Sequence, residues 1–280
     1  MPEGHTIHRV ARDHTRTLAR RPVRLSSPQG RFSAGAALLD GTTLAAIEAW
    51  GKHLFYRFEG DRILHVHLGL YGKWWPFVPP GQATHRQVRL RLVGDEHGYD
   101  LTGPTACKVI GPDERAGIIA RLGPDPLRRD ADPSGVPGRL ARRRGPLGVA
   151  LMDQSVVAGI GNVYRAEALF VHRIHPARPS NTLRPDEWAD LWATLVKMLG
   201  DGVRQRRIVT VRRDPRVHDG RQRYVYKQDD CAYCATPIRR WDLAGRWAYA
   251  CERCQPPPAP GAAAVAPAGV AVRSGRQRAR

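Results

Sequence analysis

Two cysteine pairs near the end of the chain, CAYC (Cys231, Cys234) and CERC (Cys251, Cys254), restrict the fold more than any other feature. Each pair sets two thiols two residues apart, a spacing at which a tight turn aims both sulfurs at one ion. Sixteen residues separate Cys234 from Cys251, enough for a β-hairpin to fold one pair onto the other. Four thiolates make a closed tetrahedral zinc site, structural because no coordination position stays open. The competing reading is two redox pairs. The fifth cysteine, Cys107, stands apart and reads as a plain buried thiol. An odd count with four thiols clustered argues against a secreted disulfide framework.

The rest of the chain falls into segments with different periodicities. Residues 5–20 place Ile7, Val10 and Leu18 at helical spacing. From 42 to 78, short apolar runs are punctuated by Gly51, Gly60, Gly69 and Gly72. In 85–94, Val88, Leu90 and Leu92 alternate with arginines. These are strands of a mostly antiparallel sheet. A stretch dense in Pro, Gly and charge, 121–146, contains a linker. Helical patterns follow in LMDQSVVAGIGNVYRAEALF and in 184–203. The first should end near Ala158, reverse at Gly159 and Gly161, and resume at Val163 with Asn162 as cap. The second should start near Pro185 and Asp186 and stop near Gly200 or Gly202. The Pro/Ala/Gly composition of 256–280, with its basic end, predicts a disordered tail.

The formal charge is +19, which favours a polyanionic partner. No apolar run approaches a membrane span, and the start lacks a signal-peptide pattern. A cytoplasmic protein acting on nucleic acid is the expectation. Of 45 basic side chains only five are lysines, among them Lys52 in GKHL. The opening MPEGHTIHR leaves two readings of Pro2: a rigid helix start, or a secondary-amine nucleophile freed by removal of Met1. Exposed N–H groups at the AGIGN turn would suit a phosphate, whereas Asn162 could equally be an ordinary cap.

Taken together, MPEGHTIHR, AWGKHLFYRF, HVHLGLYGKW, LGPDPL, LMDQSVVAGIGNVYRAEALF and GRWAYACERCQ closely resemble the bacterial formamidopyrimidine-DNA glycosylase and endonuclease VIII family of base-excision repair. These stretches run from residue 1 to Gln255. HLGLYGKW and GPTACKVI look most like actinobacterial members of the endonuclease VIII branch. The resemblance implies an α+β fold: an N-terminal two-layer antiparallel β-sandwich with a helix, then a helical helix–two-turn–helix domain with a four-cysteine zinc-finger hairpin. In residue spans, this divides the chain into 1–125 (β-sandwich), 126–140 (linker), 141–230 (helix–two-turn–helix), 231–255 (finger) and 256–280 (tail).

The resemblance further implies a bifunctional DNA glycosylase and abasic-site lyase, monomeric and nucleoid-associated, removing oxidised pyrimidines from damaged DNA. The damaged nucleotide leaves the stack so that its C1′ can be reached. Pro2 is the implied nucleophile, an amine that can form an iminium with the opened sugar. Glu3 is the implied acid, and Lys52 contacts phosphate and assists proton transfer. Asn162 and Arg246 would hold phosphates, and Leu70 and Tyr71 would fill the space left by the flipped nucleotide. Gly69 departs from the branch pattern, in which a polar residue can stand there. The one implied ion is structural zinc on Cys231, Cys234, Cys251 and Cys254. Competing readings are a preference for 8-oxoguanine and formamidopyrimidines, a non-catalytic damage-binding module, and a metal-dependent nuclease using His65 and His67.

Overall fold

The computed structural model describes residues 2–81, 87–211, 214–217 and 220–259. Met1 and the tail from residue 260 lie outside the described residues. The chain opens with helix α1, Gly4–Leu18, whose Ile7, Val10, Ala11 and Leu18 form a single buried stripe. Strands β1 (Arg21–Pro22) and β2 (Arg24–Ser26) and helix α2 (Ser33–Leu39) follow. Then come β3 (Thr43–Trp50), β4 (His53–Phe58), β5 (Ile63–His67), β6 (Lys73–Phe77), β7 (Val88–Val93), β8 (Gly98–Thr102) and β9 (Ala106–Ile110).

These strands build two antiparallel sheets, ordered β1-β3-β4-β5-β9 and β2-β7-β8-β6. The strict alternation at Val88, Leu90 and Leu92 buries all three while the intervening residues remain partly exposed, as period-two patterning requires. Leu54, Tyr56, Leu64 and Val66 from one sheet meet Leu90, Leu92 and Leu101 from the other, and α1 closes the core. Cys107, on β9, packs partly buried against this core, and burial pushes its thiol up to about 12. Helix α3 (Pro112–Ala120) caps the outer face of the larger sheet through Ile118, against Phe55, Ile63 and Ile110.

The second half is helical: α4 (Val136–Ala141), α5 (Leu147–Ala150), α6 (Asn162–Val171) and α7 (Pro185–Gln205). Within the span read as a linker, α4 buries Val136 and Leu140 completely in the helical core. Two boundaries differ from expectation. The helix expected to reach Ala158 ends at Ala150, and turns occupy the chain up to Gly161. Helix α7 runs through Gly200 and Gly202 and ends at Gln205, capped by Arg206 with φ +60°. Gly202 is a packing residue rather than a stop, since a Cβ there would lie 2.2 Å from the Tyr164 hydroxyl and 3.0 Å from His5.

Strands β10 (Arg239–Asp242) and β11 (Trp247–Ala250) form the hairpin between the cysteine pairs. The hairpin does not stand alone: Cys231, Tyr249 and Cys251 are buried in the same core as α6 and α7. Among the described residues, no helix is long and apolar enough to cross a membrane.

Candidate active site

The start of the chain is fixed from the far half of the molecule. Gly4 N–H donates to the Gly159 carbonyl at 2.8 Å, and a Cβ on Gly4 would come within 3.1 Å of Gly159 and Leu199. Glu3, next to Pro2, is fully buried. Its carboxylate crosses to the start of α6 and accepts from the N–H groups of Gly161 (3.0 Å), Val163 (2.9 Å) and Tyr164 (3.4 Å). The N–H donors expected to await a phosphate are therefore occupied by the protein's own acid. A carboxylate both satisfies these orphan donors and complements the positive end of the helix dipole. Gly161 makes the contact possible, because a Cβ there would lie 2.3 Å from the Glu3 carboxyl carbon.

Burial raises the Glu3 pKa, against the lowering influence of Lys52 and the three N–H donors. The carboxyl accordingly keeps its proton to higher pH than an exposed glutamate. Lys52 stands in the turn between β3 and β4 after Gly51, whose φ of +55° and close approach to Ala158 and Gly159 suit only glycine. Burial lowers the Lys52 pKa, Glu3 raises it, and Arg246 of the distant hairpin lowers it again. Lys52 thus lies within electrostatic reach of both Glu3, the neighbour of Pro2, and Arg246.

Three buried residues that hold this arrangement escaped sequence reasoning. Asp125 Oδ2 accepts from His8 Nε2 and from Gly51 N–H, both at 2.7 Å, and its Oδ1 accepts from Leu127 N–H at 2.9 Å. One carboxylate so ties α1, the Lys52 turn and the inter-domain segment together. Glu167 on α6 accepts from the N–H groups of Tyr224, Val225 and Tyr226 and from the Thr210 hydroxyl. Arg165, also buried, donates to Asn162 Oδ1, to the Trp247 carbonyl (2.8 Å) and to the Gly148 carbonyl (3.3 Å). For Glu167 and Arg165, a charge at helical spacing among apolar residues was the available signal; Asp125, in the non-helical GPDPL segment, offered none. That signal names a buried charge but not the backbone groups that charge meets.

Asn162 is not the cap of α6. Gly161 occupies that position, and Asn162 is the first helical residue. Its Nδ2 donates to the Trp247 carbonyl at 3.0 Å, which links the helix start to the hairpin. The hairpin turn, Ala244 and Gly245 both with positive φ, is the two-residue primed type, and Arg246 follows it at the surface.

The four cysteine sulfurs all lie within 4.8 Å of one another. The 3.8 Å between Cys231 and Cys254, 3.5 Å between Cys234 and Cys251 and 3.6 Å between Cys234 and Cys254 agree with the roughly 3.8 Å spacing that four Zn–S bonds of about 2.3 Å impose in a tetrahedron. The Tyr233 N–H and the Thr236 hydroxyl also reach Cys231 and Cys234 sulfurs. The set fits a structural zinc ion.

Leu70 and Tyr71 sit on a tight loop closed by Gly72 N–H to the Leu68 carbonyl at 2.8 Å, and are 47% and 81% exposed. They are not core residues at a strand end. Gly69 turns the loop with φ +63° and leaves no room for a side chain, since a Cβ would lie 1.8 Å from the Thr105 hydroxyl. Pro2 and Leu70 line one cavity of about 320 Å³, together with Thr6, Arg9, Leu68 and Lys73.

His65 hydrogen bonds to His53 at 2.9 Å, and burial holds these two imidazoles down at about 4 and about 3, so both are neutral near pH 7. Among the described residues, the cysteine cluster is the sole group of three or more metal-type ligands. The His65 and His67 rings both lie against His53 on the sheet, at 5.1 and 4.8 Å between centroids, and neither belongs to that group.

Two family models match the chain: the formamidopyrimidine-DNA glycosylase N-terminal domain over residues 1–102 and the H2TH domain of the same glycosylase over 122–213. Endonuclease 8 1 of Mycobacterium tuberculosis (strain ATCC 25618 / H37Rv) is 46% identical over 267 residues, covering 91% of this chain and all of that protein. The chain belongs to the formamidopyrimidine-DNA glycosylase/endonuclease VIII family. Another member, the formamidopyrimidine-DNA glycosylase of Symbiobacterium thermophilum, is 32% identical, covering 92% of this chain and 89% of its own. The fold is also that of the Lactococcus lactis Fpg solved in complex with an abasic site containing DNA (TM-score 0.77, 20% identity, 91% and 100% coverage). The family's two-domain plan, β-sandwich then H2TH helices with a four-cysteine cluster, is the one described above.

Proposed function

We propose that this chain excises oxidised pyrimidines from DNA and cleaves the resulting abasic site, with Pro2 as nucleophile. The observation that carries this reading is the seating of Glu3: a buried, proton-retaining carboxyl fixed on the start of α6, adjacent to Pro2 and facing the charge of Lys52. In this mechanism the Pro2 amine attacks C1′ of an extruded nucleotide, and the base leaves with the electron pair of its glycosidic bond and takes up the proton that the Pro2 nitrogen releases. Glu3 gives a proton to the ring oxygen, the sugar opens, and an iminium links C1′ to Pro2. The iminium acidifies the C2′ hydrogen, whose loss expels the 3′ phosphate by β-elimination, and δ-elimination then expels the 5′ phosphate. The chemistry requires Met1 to be removed, since with Met1 attached the Pro2 nitrogen is an unreactive amide.

The second Nδ2 hydrogen of Asn162, beyond its bond to Trp247, meets no acceptor among the described residues, and Arg246 is exposed next to Trp247 in the chain, so both suit phosphates of the damaged strand. Leu70 and Tyr71, on the loop that shares a cavity with Pro2, suit the space the extruded nucleotide leaves. The sandwich supplies nucleophile, acid and wedge; the helical half and the zinc hairpin supply the phosphate grip. Such an enzyme works as a monomer, in the cytoplasm and on the nucleoid. The direct test is borohydride reduction during reaction with thymine-glycol DNA. Protein with an N-terminal Pro2 should be trapped as a covalent adduct and protein retaining Met1 should not; absence of adduct from the former overturns the mechanism. A cleavage panel that adds dihydrouracil and 8-oxoguanine decides pyrimidine against purine preference.

A further inference from the structure

The hairpin that presents Arg246 also presents an indole that the mechanism leaves unused. Trp247 is the first residue of β11, directly after the Arg246 turn, and it pairs with Asp242 across the hairpin. Its backbone is held twice, the carbonyl accepting from Asn162 Nδ2 at 3.0 Å and from Arg165 at 2.8 Å. The strand beyond it is buried, with Ala248, Ala250 and Cys251 at 0% exposure and Tyr249 at 6%. The Trp247 side chain alone remains open, 54% exposed. The Arg240 guanidinium lies 5.5 Å from its ring centroid, which adds a cation–π contact that orients the ring.

A large apolar ring on a rigid backbone, with Arg240 near its face, Arg246 preceding it in the chain and its carbonyl on Asn162, is what a stacking platform for a nucleobase consists of. Apolar burial gives no reason for the indole to be there, since it covers little of the core. Its position beside the groups assigned to phosphates of the damaged strand does. We propose that Trp247 stacks on a base flanking the extruded nucleotide on the damaged strand, a base that loses one stacking neighbour when that nucleotide leaves. Arg246 and Asn162 fix the backbone, Trp247 takes the base face, and Arg240 neutralises the charge that approaches with it. The assignment rests on the reading that Asn162 and Arg246 grip that strand. It makes Trp247 a specificity residue that favours DNA whose bases are already unstacked, because there the ring gains a partner without first disrupting a pair.

The test uses the full chain with a processed N-terminus and DNA carrying a tetrahydrofuran abasic analogue, with 2-aminopurine on its 5′ or its 3′ side in turn. Binding of the wild type should quench 2-aminopurine on one of the two sides. Trp247→Leu keeps apolar bulk but cannot stack; it should lose the quench and weaken binding on the order of tenfold. Trp247→Phe should retain most of both. Zinc content and melting temperature establish that the variants are folded. Wild-type affinity and quenching in Trp247→Leu overturn the proposal, as does weakened binding with the quench intact. Arg246→Ala separates the two readings: if it binds as tightly as wild type the phosphate grip has failed, whereas weak binding by Arg246→Ala beside normal Trp247→Leu rejects the stacking role alone.

Discussion

Glu3 is subject to opposing forces: three N–H donors and the charge of Lys52 favour its carboxylate form, and complete burial disfavours it more strongly. With its pKa raised, the protonated acid is present at low pH and lost as pH rises through that value. Base excision under single turnover should therefore fall on the alkaline side. Lys52→Met removes a charge that holds the Glu3 pKa down, so this descending limb should move to higher pH; a limb that stays in place, or moves lower, shows that the two groups are not coupled. Gly161→Ala tests the seat itself. The new methyl would displace the Glu3 carboxyl carbon, and base excision should drop by about a hundredfold or more, the scale of a lost general acid, while DNA affinity measured by titration changes little.

Among the elements, the cysteine hairpin is tied to the start of α6 through the Trp247 carbonyl, with Arg246 exposed next to it in the chain, and its four sulfurs fit one zinc. Purified chain should contain about one zinc per molecule, the stoichiometry of a closed four-thiolate site. Chelation, or Cys251→Ser, should abolish tight DNA binding while the β-sandwich keeps its circular-dichroism signature, because the two cores are separate. Full DNA affinity after zinc loss would mean that the hairpin holds no DNA. The element boundaries also show what periodicity can and cannot carry. Alternation located β7 because one face of a strand meets one core. Gly202 misled for α7, because a glycine that stops a helix and one that admits a neighbouring helix look the same until Tyr164 and His5 are in place; nothing in the packing around Gly200 explains that glycine. The helix expected up to Ala158 failed similarly: apolar residues at helical spacing also bury well from consecutive turns.

Over the whole molecule, the domains meet through Gly4, Gly51 and Gly159, with Asp125 tying the Lys52 turn to α1 and to the inter-domain segment. Gly159 has φ +87°, so Gly159→Ala should cost about 1–3 kcal/mol, read as a lowered melting temperature, and should loosen the site at the same time. The excess of basic charge makes a second expectation: affinity for abasic-analogue DNA should fall on the order of a hundredfold between about 50 and about 200 mM salt, and a flat response would rule out a phosphate-dominated grip. The sequence by itself determined the elements whose chemistry is local. The cysteine spacings define a zinc set, the alternating strands define an antiparallel sheet, and MPEG with GKHL and AGIGN points to a family and, through it, to a sandwich. Tertiary structure alone decided which groups meet. The donors at the start of α6 face Glu3 rather than solvent, Asn162 ties down a hairpin strand instead of capping its helix, and Trp247 is left exposed on that strand. Each of these contacts joins residues 82 or more positions apart, and a one-dimensional pattern records what a side chain can bond but not which backbone group the fold will bring to it.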